Sequence, residues 1–413
     1  MSSTVILGSG IIGVSIALYL ADHQPPSSIH LVDPAPELFS SASGFAGGFL
    51  ARDWFSDAAA SLGALSFEEH ERLAKQHNGK EKWGYSMTTS LSYTAAPKSG
   101  NKKRGDDWLR EGTSRADTAP TLEDDDMSGK TPGWLRRVAG DHVELISEDG
   151  STAIVDPLKL SRFLLQRCLD LGVHLHHPAA ALSASTDVRG ELARVRIADL
   201  RTSTETDLPC TRLIVAAGAW SGGVFQNLFP HSKVALPIGA LAGHSLVLRS
   251  PRWDPGAEEL RCHAVYTTAE AFSPEVYARP GGHLYIAGLN STSIPLPKLA
   301  GESEVQKESI QRLKQVAISL LGSEAGHDDL EVVQEGLCFR PVTPWGNPIL
   351  SRIPDEHLGI GMATRGGADG GVFVCTGHGP WGINHSLGTG KVMAELAQGR
   401  ALSADISSLG LRK

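Results

Sequence analysis

The sequence has little cysteine and no long apolar run. Its five cysteines are far apart among 413 residues and never form a CxxC pair, so neither a disulfide framework nor a cysteine zinc site is predicted. No apolar run is long enough to span a bilayer, and the first residues lack the pattern of a secretory signal. We therefore expect a protein of a reducing compartment, cytoplasmic, with no transmembrane segment.

An excess of basic residues is also missing. The chain has 46 acidic and 38 basic residues and a net charge of -8, which leaves no basic face to hold a polyanion. Nucleic acid is therefore not expected as a partner. The hydrophobic fraction of 41% is that of a globular protein, and the length predicts two domains.

Three histidines, His174, His176 and His177, stand close together. In a strand, His174 and His176 would share one face while His177 points away, and no carboxylate or cysteine stands at ligand spacing. We predict a partly exposed strand histidine pair and no metal site.

What the sequence does contain begins with a β-α-β unit. A strand is predicted over Thr4 to Leu7, an amphipathic helix from about Ile11 to His23, and a second strand from Ile29 to Val32. This order implies a parallel sheet.

Gly8, Gly10 and Gly13 form a GxGxxG motif between that first strand and that helix. The glycines permit a tight turn, close backbone approach to a pyrophosphate, and close packing of helix on strand. Asp33 lies 20 residues after Gly13, where a carboxylate can accept from both ribose hydroxyls and repel a 2′-phosphate. The motif predicts a dinucleotide site that disfavours NADP; the alternative is a glycine turn without a ligand.

Farther along, the chain alternates between recognisable elements and one polar stretch. Asp156 as N-cap and Gly172 as terminator bound a predicted helix, and the middle of the chain is rich in strand patterns. The residues 97–133 are rich in charge, Gly, Pro and Ser and are interpreted as a solvated insertion. A strand and a helix beginning near Asn384 return the chain to an α/β pattern.

Several ordered blocks resemble the D-amino-acid oxidase family of flavoproteins, which includes glycine oxidase, sarcosine oxidase and the fructosyl amine oxidases. The blocks are VILGSGIIG with Asp33, SASGFAGG, LIVAAGAW, VYARPGGHLYIAGL, GLCFRPVTPWGNPIL and the GHGPWG loop. Within the family, the chain is similar to fungal-type oxidoreductases without an assigned substrate. The resemblance implies FAD as cofactor.

The resemblance also implies the fold class, α/β, with two domains. A Rossmann-type FAD-binding domain with a mainly parallel sheet would comprise residues 1–83, 151–226 and 335–413. A second, α+β substrate domain with a large mixed or antiparallel sheet would comprise residues 84–150 and 227–334, with the polar insertion at 97–133.

By the same resemblance, the FAD-binding residues would come from every part of the first domain. They are Gly8, Gly10, Ile11, Ile12, Gly13, Asp33, Pro34, Ser41, Ser43, Gly44, Ala217, Gly218, Trp220, Cys338, Arg340, His378, Gly379, Pro380, Trp381 and Gly382. Cys338 coincides with the cysteine that sarcosine oxidase joins covalently to its flavin; a buried apolar filler is the alternative interpretation. A helix N-terminus after His378 would stabilise the anionic reduced flavin.

Arg340, in the segment FRP, matches an arginine that family members place on the substrate carboxylate, a task that suits its bidentate fork. A structural arginine at the domain interface is the alternative. Further candidates around the substrate are Tyr277, Asn290, Arg52 and His378. The lysine that activates oxygen in sarcosine oxidase corresponds to Ile286, which puts rapid reaction with dioxygen in question.

The resemblance implies oxidation of a C–N bond of a small amine or amino acid. A hydride would pass to flavin N5, the imine product would be hydrolysed, and dioxygen or another electron acceptor would reoxidise the flavin. Two alternatives stay open: a flavin-dependent hydroxy-acid dehydrogenase, and a regulatory or trafficking protein in which FAD is a structural or sensing ligand.

Overall fold

A computed structural model describes residues 2–95, 115–119, 131–254, 256, 261–268, 272–324 and 326–412. Its helices are α1 (Ile11–Ala21), α2 (Ala42–Phe45), α3 (Asp57–His77), α4 (Gly79–Trp83), α5 (Pro157–Leu171), α6 (Ser221–Leu228), α7 (Lys307–Leu321) and α8 (Gly382–Ala397). Its strands are β1 (Thr4–Leu7), β2 (Ile29–Val32), β3 (Phe49–Ala51), β4 (Ser86–Thr94), β5 (His142–Ser147), β6 (Thr152–Ile154), β7 (His174–His176), β8 (Ala179–Thr186), β9 (Leu192–Asp199), β10 (Glu205–Pro209), β11 (Arg212–Val215), β12 (Gly239–Arg249), β13 (Cys262–Thr268), β14 (Glu275–Arg279), β15 (His283–Ser291), β16 (Glu331–Val342), β17 (Ile349–Ile353) and β18 (Gly371–Thr376). No helix in these ranges is long and apolar enough to cross a membrane.

The first sheet is mainly parallel and has the strand order β17-β18-β11-β1-β2-β7. Only β17 runs antiparallel to its neighbour. Its central strands are buried on both faces, since Ile6 packs in one core with α1, α5 and α8 while Val5 and Leu7 pack in another with α6 and the small sheet β10-β9-β8. Burial on both faces is why these strands are continuous apolar runs. The predicted β-α-β unit is confirmed, with α1 ending at Ala21 instead of His23. The helix is not amphipathic as predicted, because eight of its eleven residues are buried.

The second sheet is large and mixed, with the order β16-β12-β15-β14-β13-β4-β6-β3, and β5 pairs with β4. Its pairings are antiparallel except between β13 and β4. Helix α7 packs against one face, where Leu313, Ala317 and Leu321 are fully buried. The predicted fold class is confirmed. The assignment of residues 1–83, 151–226 and 335–413 to one domain and of 84–150 and 227–334 to the other stays a prediction.

Helices α5 and α8 hold the first sheet from the same side as α1. The Asp156 side chain accepts a hydrogen bond from the Lys159 N–H at 3.1 Å, and Gly172 ends α5 with φ of +100°, as the sequence predicted. Helix α8 begins at Gly382, two residues before the predicted start. It packs closely across α1 because Gly390 has no side chain: a Cβ there would lie 2.7 Å from Ser15.

One prediction is wrong in part. Most of the stretch 97–133 lies outside the described residues, but Arg115–Thr118 forms a 3₁₀ turn and the Arg115 side chain is buried. The stretch is therefore not a wholly solvated insertion, because the charged side chain of Arg115 is buried in the protein.

Candidate functional site

The carboxyl ends of four adjacent strands meet at one edge of the first sheet. In the order β18, β11, β1, β2, these ends are followed by His378, Ala217, Gly8 and Asp33, all residues that the sequence predicted to bind a cofactor. Crevices at this edge are where open α/β sheets bind their ligands. The structure therefore brings together segments that lie up to several hundred residues apart in the chain.

Two of the three glycines of the motif, Gly8 and Gly13, are required by backbone contacts. Gly8 has φ of +104°, and a Cβ there would lie 2.5 Å from the Ala216 carbonyl oxygen. A Cβ on Gly13 would lie 1.9 Å from the carbonyl oxygen of Gly8. The turn between β1 and α1 therefore packs against the turn after β11, and the first turn of α1 lies at the ligand edge, where a helix N-terminus can bind phosphates.

The Asp33 carboxylate lies at the carboxyl end of β2, on this edge of the sheet. It accepts hydrogen bonds from the Ser9 N–H at 2.7 Å and from the Ala35 N–H at 3.0 Å, and burial raises its pKa. The Ser9 hydroxyl is buried and has no hydrogen-bond partner among the described atoms. A polar ligand at this edge would give that hydroxyl a partner, which is consistent with a dinucleotide site.

Ser41, Ser43 and Gly44 belong to the N-terminal cap and body of the short helix α2, in the segment that joins the first sheet to the second. The Ser43 hydroxyl accepts a hydrogen bond from the Ile11 N–H at 2.9 Å, at the first turn of α1. The Ser41 hydroxyl accepts one from the Phe339 N–H of β16 at 3.3 Å. The predicted pyrophosphate-side residues are thus in contact with both α1 and the large sheet.

Space is open beside two further predicted glycines. At Gly218 and Gly379, no described heavy atom lies within 4 Å of the place that a Cβ would occupy. The Gly218 carbonyl accepts a hydrogen bond from the Thr376 hydroxyl at 2.8 Å, which ties the turn after β11 to the end of β18. The Trp220 indole N–H donates to the Pro297 carbonyl at 2.8 Å, and the role of Trp220 in binding the cofactor stays a prediction.

The second sheet presents most of the predicted substrate residues on one face. Cys338 and Arg340 lie on β16, Asn290 on β15 and Tyr277 on β14, and the strand registers place their side chains on the same side. This face meets the loop after β2, where the Tyr285 hydroxyl donates to the Phe45 carbonyl at 3.2 Å. The predicted positioners therefore face the first sheet's ligand edge across this loop.

Arg340 is oriented by Asn290 and by Gly243, which was not predicted from the sequence. Its Nη1 donates to Asn290 Oδ1 at 2.8 Å, and a Cβ on Gly243, on the strand between them, would lie 2.0 Å from that nitrogen. Arg340 has no carboxylate in salt-bridge contact among the residues that the structure describes. A guanidinium held by a neutral amide keeps its attraction for an incoming carboxylate.

Tyr277 belongs to a buried charged network. Its hydroxyl donates to Glu275 Oε2 at 2.6 Å, and Glu275 also accepts from Arg115 Nε at 2.9 Å and Nη2 at 3.2 Å. Burial lowers the pKa of Arg115, but the Glu275 carboxylate together with Tyr277 and Tyr266 outweighs burial, so the pKa of Arg115 is raised. The Arg115 guanidinium also lies 4.5 Å from the centre of the Trp381 ring, in the predicted GHGPWG loop.

Two other predicted residues are placed differently. The side chain of Arg52 is 54% exposed and pairs with Glu68 of α3 at 2.9 Å, so the structure does not bring it into the Arg340–Asn290 pair. His378 is buried, with Nε2 3.2 Å from the Thr389 hydroxyl. Burial lowers the pKa of His378 to about 3, so the neutral imidazole supplies no positive charge there.

Ile286 lies on the opposite face of the large sheet from Tyr285. It pairs with Leu246 and Val276, both apolar and buried, and it contributes to the core that α7 covers. A lysine at this position would point away from Arg340, so the sequence correspondence at Ile286 says nothing about charge on the substrate face.

The histidine strand packs with a third histidine from β2. The ring of His30 stacks on His174 at 5.0 Å, and His30 Nδ1 lies 3.1 Å from His176 Nε2. In the described part of the chain, no group of three potential ligands is arranged to hold a metal ion.

Three buried histidines around α8 predict a loss of stability in acid. Burial lowers the pKa of His70 to about 4 and those of His378 and His385 to about 3. Below about pH 6.5 the unfolded chain takes up protons at these sites while the folded protein does not. The free energy of unfolding should therefore fall between pH 7 and pH 5, by about 2 kcal/mol for each histidine.

Urea unfolding at pH 7, 6 and 5 with excess FAD would measure this fall. His385→Phe, next to the Phe55 ring that lies 4.6 Å from His385, removes one titrating site and should reduce the dependence on pH. Equal unfolding midpoints at pH 7 and pH 5 in the unchanged protein would contradict the prediction.

Three residues of this site were missed from the sequence: Gly243, Glu275 and Arg115. A glycine inside a strand pattern is a signal of close approach, which would have indicated Gly243. The spacing of Glu275 two residues before Tyr277 places both on one face of a strand and was also available. Arg115 stands in a polar stretch with no periodic pattern, and no local signal distinguishes it from the charges around it.

Comparison with known proteins agrees with this geometry. The sequence model of a family described as FAD dependent oxidoreductase, DAO, matches residues 3–396. A Schizosaccharomyces pombe protein provisionally named an oxidoreductase is 27% identical over 414 residues, covering 98% of this chain and 96% of its own. Among solved structures, glycine oxidase from Geobacillus kaustophilus superposes with a TM-score of 0.73 at 18% identity, over 100% of this chain and 98% of its own. Iminodiacetate oxidase from Chelativorans sp. BNC1 gives 0.69 at 17% identity, over 98% of each chain. At these identities the structural likeness shows the fold.

Proposed function

The chain belongs to the DAO family of FAD-dependent oxidoreductases, and on that basis we propose that it oxidises the C–N bond of a small amine or amino acid. The substrate would lose a hydride from the carbon next to nitrogen, and water would hydrolyse the resulting imine to a carbonyl compound and ammonia or an amine. The names of two solved relatives, glycine oxidase and iminodiacetate oxidase, support a substrate that carries both nitrogen and carboxylate.

The observation that carries the proposal is the orientation of Arg340 on the face of the large sheet. Asn290 and the bare backbone of Gly243 hold its guanidinium, and no described carboxylate neutralises it. Such a group orients a carboxylate through two parallel hydrogen bonds. Orientation is what this chemistry requires of the protein, because hydride transfer depends on the distance and angle between donor and acceptor.

Bound FAD would supply the two-electron acceptor. The residues that fit it are those of the ligand edge: the turn Gly8 to Gly13 and the first turn of α1 for the pyrophosphate, and Asp33 for the ribose. The N-terminus of α8 follows the GHGPWG loop and carries no side-chain cap. The positive end of its helix dipole would stabilise negative charge at the flavin end of the cofactor.

Anaerobic mixing with a panel of compounds tests the proposed reaction. The panel contains glycine, N-substituted glycines, both enantiomers of several amino acids, the matching amines without carboxylate, and the matching hydroxy acids. Bleaching of the flavin absorbance by a nitrogen compound supports the proposal, and bleaching by hydroxy acids alone favours a hydroxy-acid dehydrogenase. A yellow protein that nothing bleaches favours a sensing or structural role for FAD. Rapid return of colour on admitting air would identify dioxygen as the electron acceptor.

A covalent bond between Cys338 and the flavin is part of the proposal. Cys338 lies on the same sheet face as Arg340, two residues away on β16, while burial raises the pKa of its thiol and so disfavours the thiolate. If the bond forms, acid precipitation will leave the yellow colour in the pellet, and Cys338→Ser will move it to the supernatant. Colour wholly in the supernatant of the unchanged protein would show that FAD is held without covalent attachment.

A cytoplasmic location is also proposed. All five cysteines are buried, and Cys168, Cys210, Cys338 and Cys375 are free thiols, as a protein of a reducing compartment would have. Fluorescence microscopy of the tagged chain in its own cells tests this.

A further inference from the structure

A buried cation from the polar stretch lies between two residues of regular structure. Glu275 belongs to β14 of the large sheet, and Trp381 belongs to the 3₁₀ turn directly before α8. Between them lies the guanidinium of Arg115, which comes from a four-residue turn remote in the chain. The carboxylate meets it edge-on and the indole meets it face-on.

The chemistry of this site is that of a guanidinium receptor. Two hydrogen bonds from Nε and Nη2 to one carboxylate are the bidentate arrangement that suits a planar guanidinium, and an indole face at 4.5 Å adds a cation–π contact. The side chains of Arg115 and Glu275 are 7% and 12% exposed. Without a cation, the buried carboxylate would keep only the Tyr277 hydroxyl as a described hydrogen-bond donor.

The site also belongs to the substrate region. Glu275 and Tyr277 alternate on β14, and Tyr277 pairs with Tyr285, so these side chains share the sheet face that carries Asn290 and Arg340. The Tyr277 and Tyr285 rings stack with their centres 5.9 Å apart. Glu275 and Arg340 therefore lie on the same face of the large sheet, which continues beyond Glu275 to Tyr266 of β13.

We propose that Glu275 and Trp381 form a cation subsite of the substrate region and that Arg115 fills it from within the chain. Arg115 is then a specificity determinant, which excludes substrates with a distal guanidinium or ammonium group. The proposed role in specificity rests on the proposed function, because it names the substrate class that the oxidation would accept. The binding site itself does not depend on turnover.

The test is chemical rescue of Arg115→Ala with methylguanidine, on the purified protein with its FAD. Tryptophan fluorescence and the melting temperature are followed during titration. We expect saturable binding to Arg115→Ala with a dissociation constant on the order of 1 mM and a rise in melting temperature. No saturation is expected in the unchanged protein, where the site is filled. The double variant Arg115→Ala/Glu275→Gln is the matched control and should bind at least about 10-fold more weakly, because the charged acceptor is gone.

Absence of saturable binding to a folded Arg115→Ala protein, or equal binding to the double variant, would overturn the proposal. If Arg115→Ala does not accumulate in folded form, the denatured variant is refolded with FAD in methylguanidine or in equimolar urea. Better recovery in methylguanidine then supports the site, and equal recovery overturns it. Competition by arginine, lysine and agmatine against methylguanidine reports the substrate class through binding alone. The absence of amine oxidation in the panel above is therefore distinguishable from the absence of a cation site.

Discussion

Gly13→Ala is expected to yield a folded protein that retains little or no FAD. The added Cβ would lie 1.9 Å from the Gly8 carbonyl oxygen, a backbone atom that cannot rotate away. The contact is relieved only if α1 moves off the turn after β1, and that turn is the proposed cradle for the pyrophosphate. Overpacking of this kind costs about 3 kcal/mol, which corresponds to a roughly 100-fold loss of FAD affinity when the cost falls on the bound geometry.

The flavin-to-protein absorbance ratio and FAD titration of the stripped protein measure this loss. Gly223→Ala is the matched control, because Gly223 lies exposed in α6 and no described heavy atom is within 4 Å of its Cβ position. That variant should keep its FAD and gain slightly in stability. A Gly13→Ala protein with a full complement of FAD would show that the glycine motif serves packing without gripping the cofactor.

The ligand edge of the first sheet was predictable because its signals are local. Strand β1, the glycine turn, α1 and β2 occupy one short stretch, and each is specified by its own pattern of apolar residues and glycines. The position of Asp33 follows from that order alone. The structure adds the contact between Gly8 and Ala216, which depends on β11 being inserted next to β1 from far along the chain.

Single residues of the substrate face could be predicted from the sequence, but the contacts between them could not. Asn290 and Arg340 are 50 positions apart and meet across β12, so their contact depends on which strands pair and in which register. A register shift between Gly243 and Ser245 decides which side chains face the first sheet, and no sequence period reports such a shift. The same nonlocal pairing placed Ile286 on the other face.

Helix α3 shows a different limit of the sequence. This 21-residue helix, Asp57–His77, is the longest helix among the described elements. It was not predicted from the sequence. Its apolar stripe contains Leu62, Phe67 and Leu73 among charged residues, and it also buries the polar Glu69 and His70. Glu69 is buried because the Tyr19 hydroxyl and the Lys391 ammonium pair with it at 2.6 and 3.0 Å, and those partners come from α1 and α8. When the buried face of a helix includes such charged residues, its apolar periodicity is weak. The helix is then hard to predict until the partners of those charges are known.

Arg340→Ala is expected to reduce kcat/KM by about 100-fold for carboxylate-bearing substrates and to change it little for the matching amines without carboxylate. Removing a guanidinium that forms two charged hydrogen bonds costs about 3 kcal/mol, and the same energy appears as the loss in kcat/KM. The alternative role, a structural arginine at the junction of the sheets, would lower activity toward both substrate classes and also lower the melting temperature.

Three further variants distinguish a substrate-binding role of Arg340 from a structural one. Arg340→Lys keeps the charge but loses the planar fork, so it should recover only part of the activity on carboxylates. Arg249→Ala, on the neighbouring strand β12 with a 51% exposed guanidinium paired to Glu331, should leave both substrate classes and stability almost unchanged, because exposed ion pairs contribute little. Asn290→Ala frees Arg340 without removing it, so KM for carboxylates should rise while the flavin absorbance stays the same. Equal losses on amines and amino acids in Arg340→Ala would remove the arginine from the substrate site and with it the reason for preferring an amino acid over a simple amine.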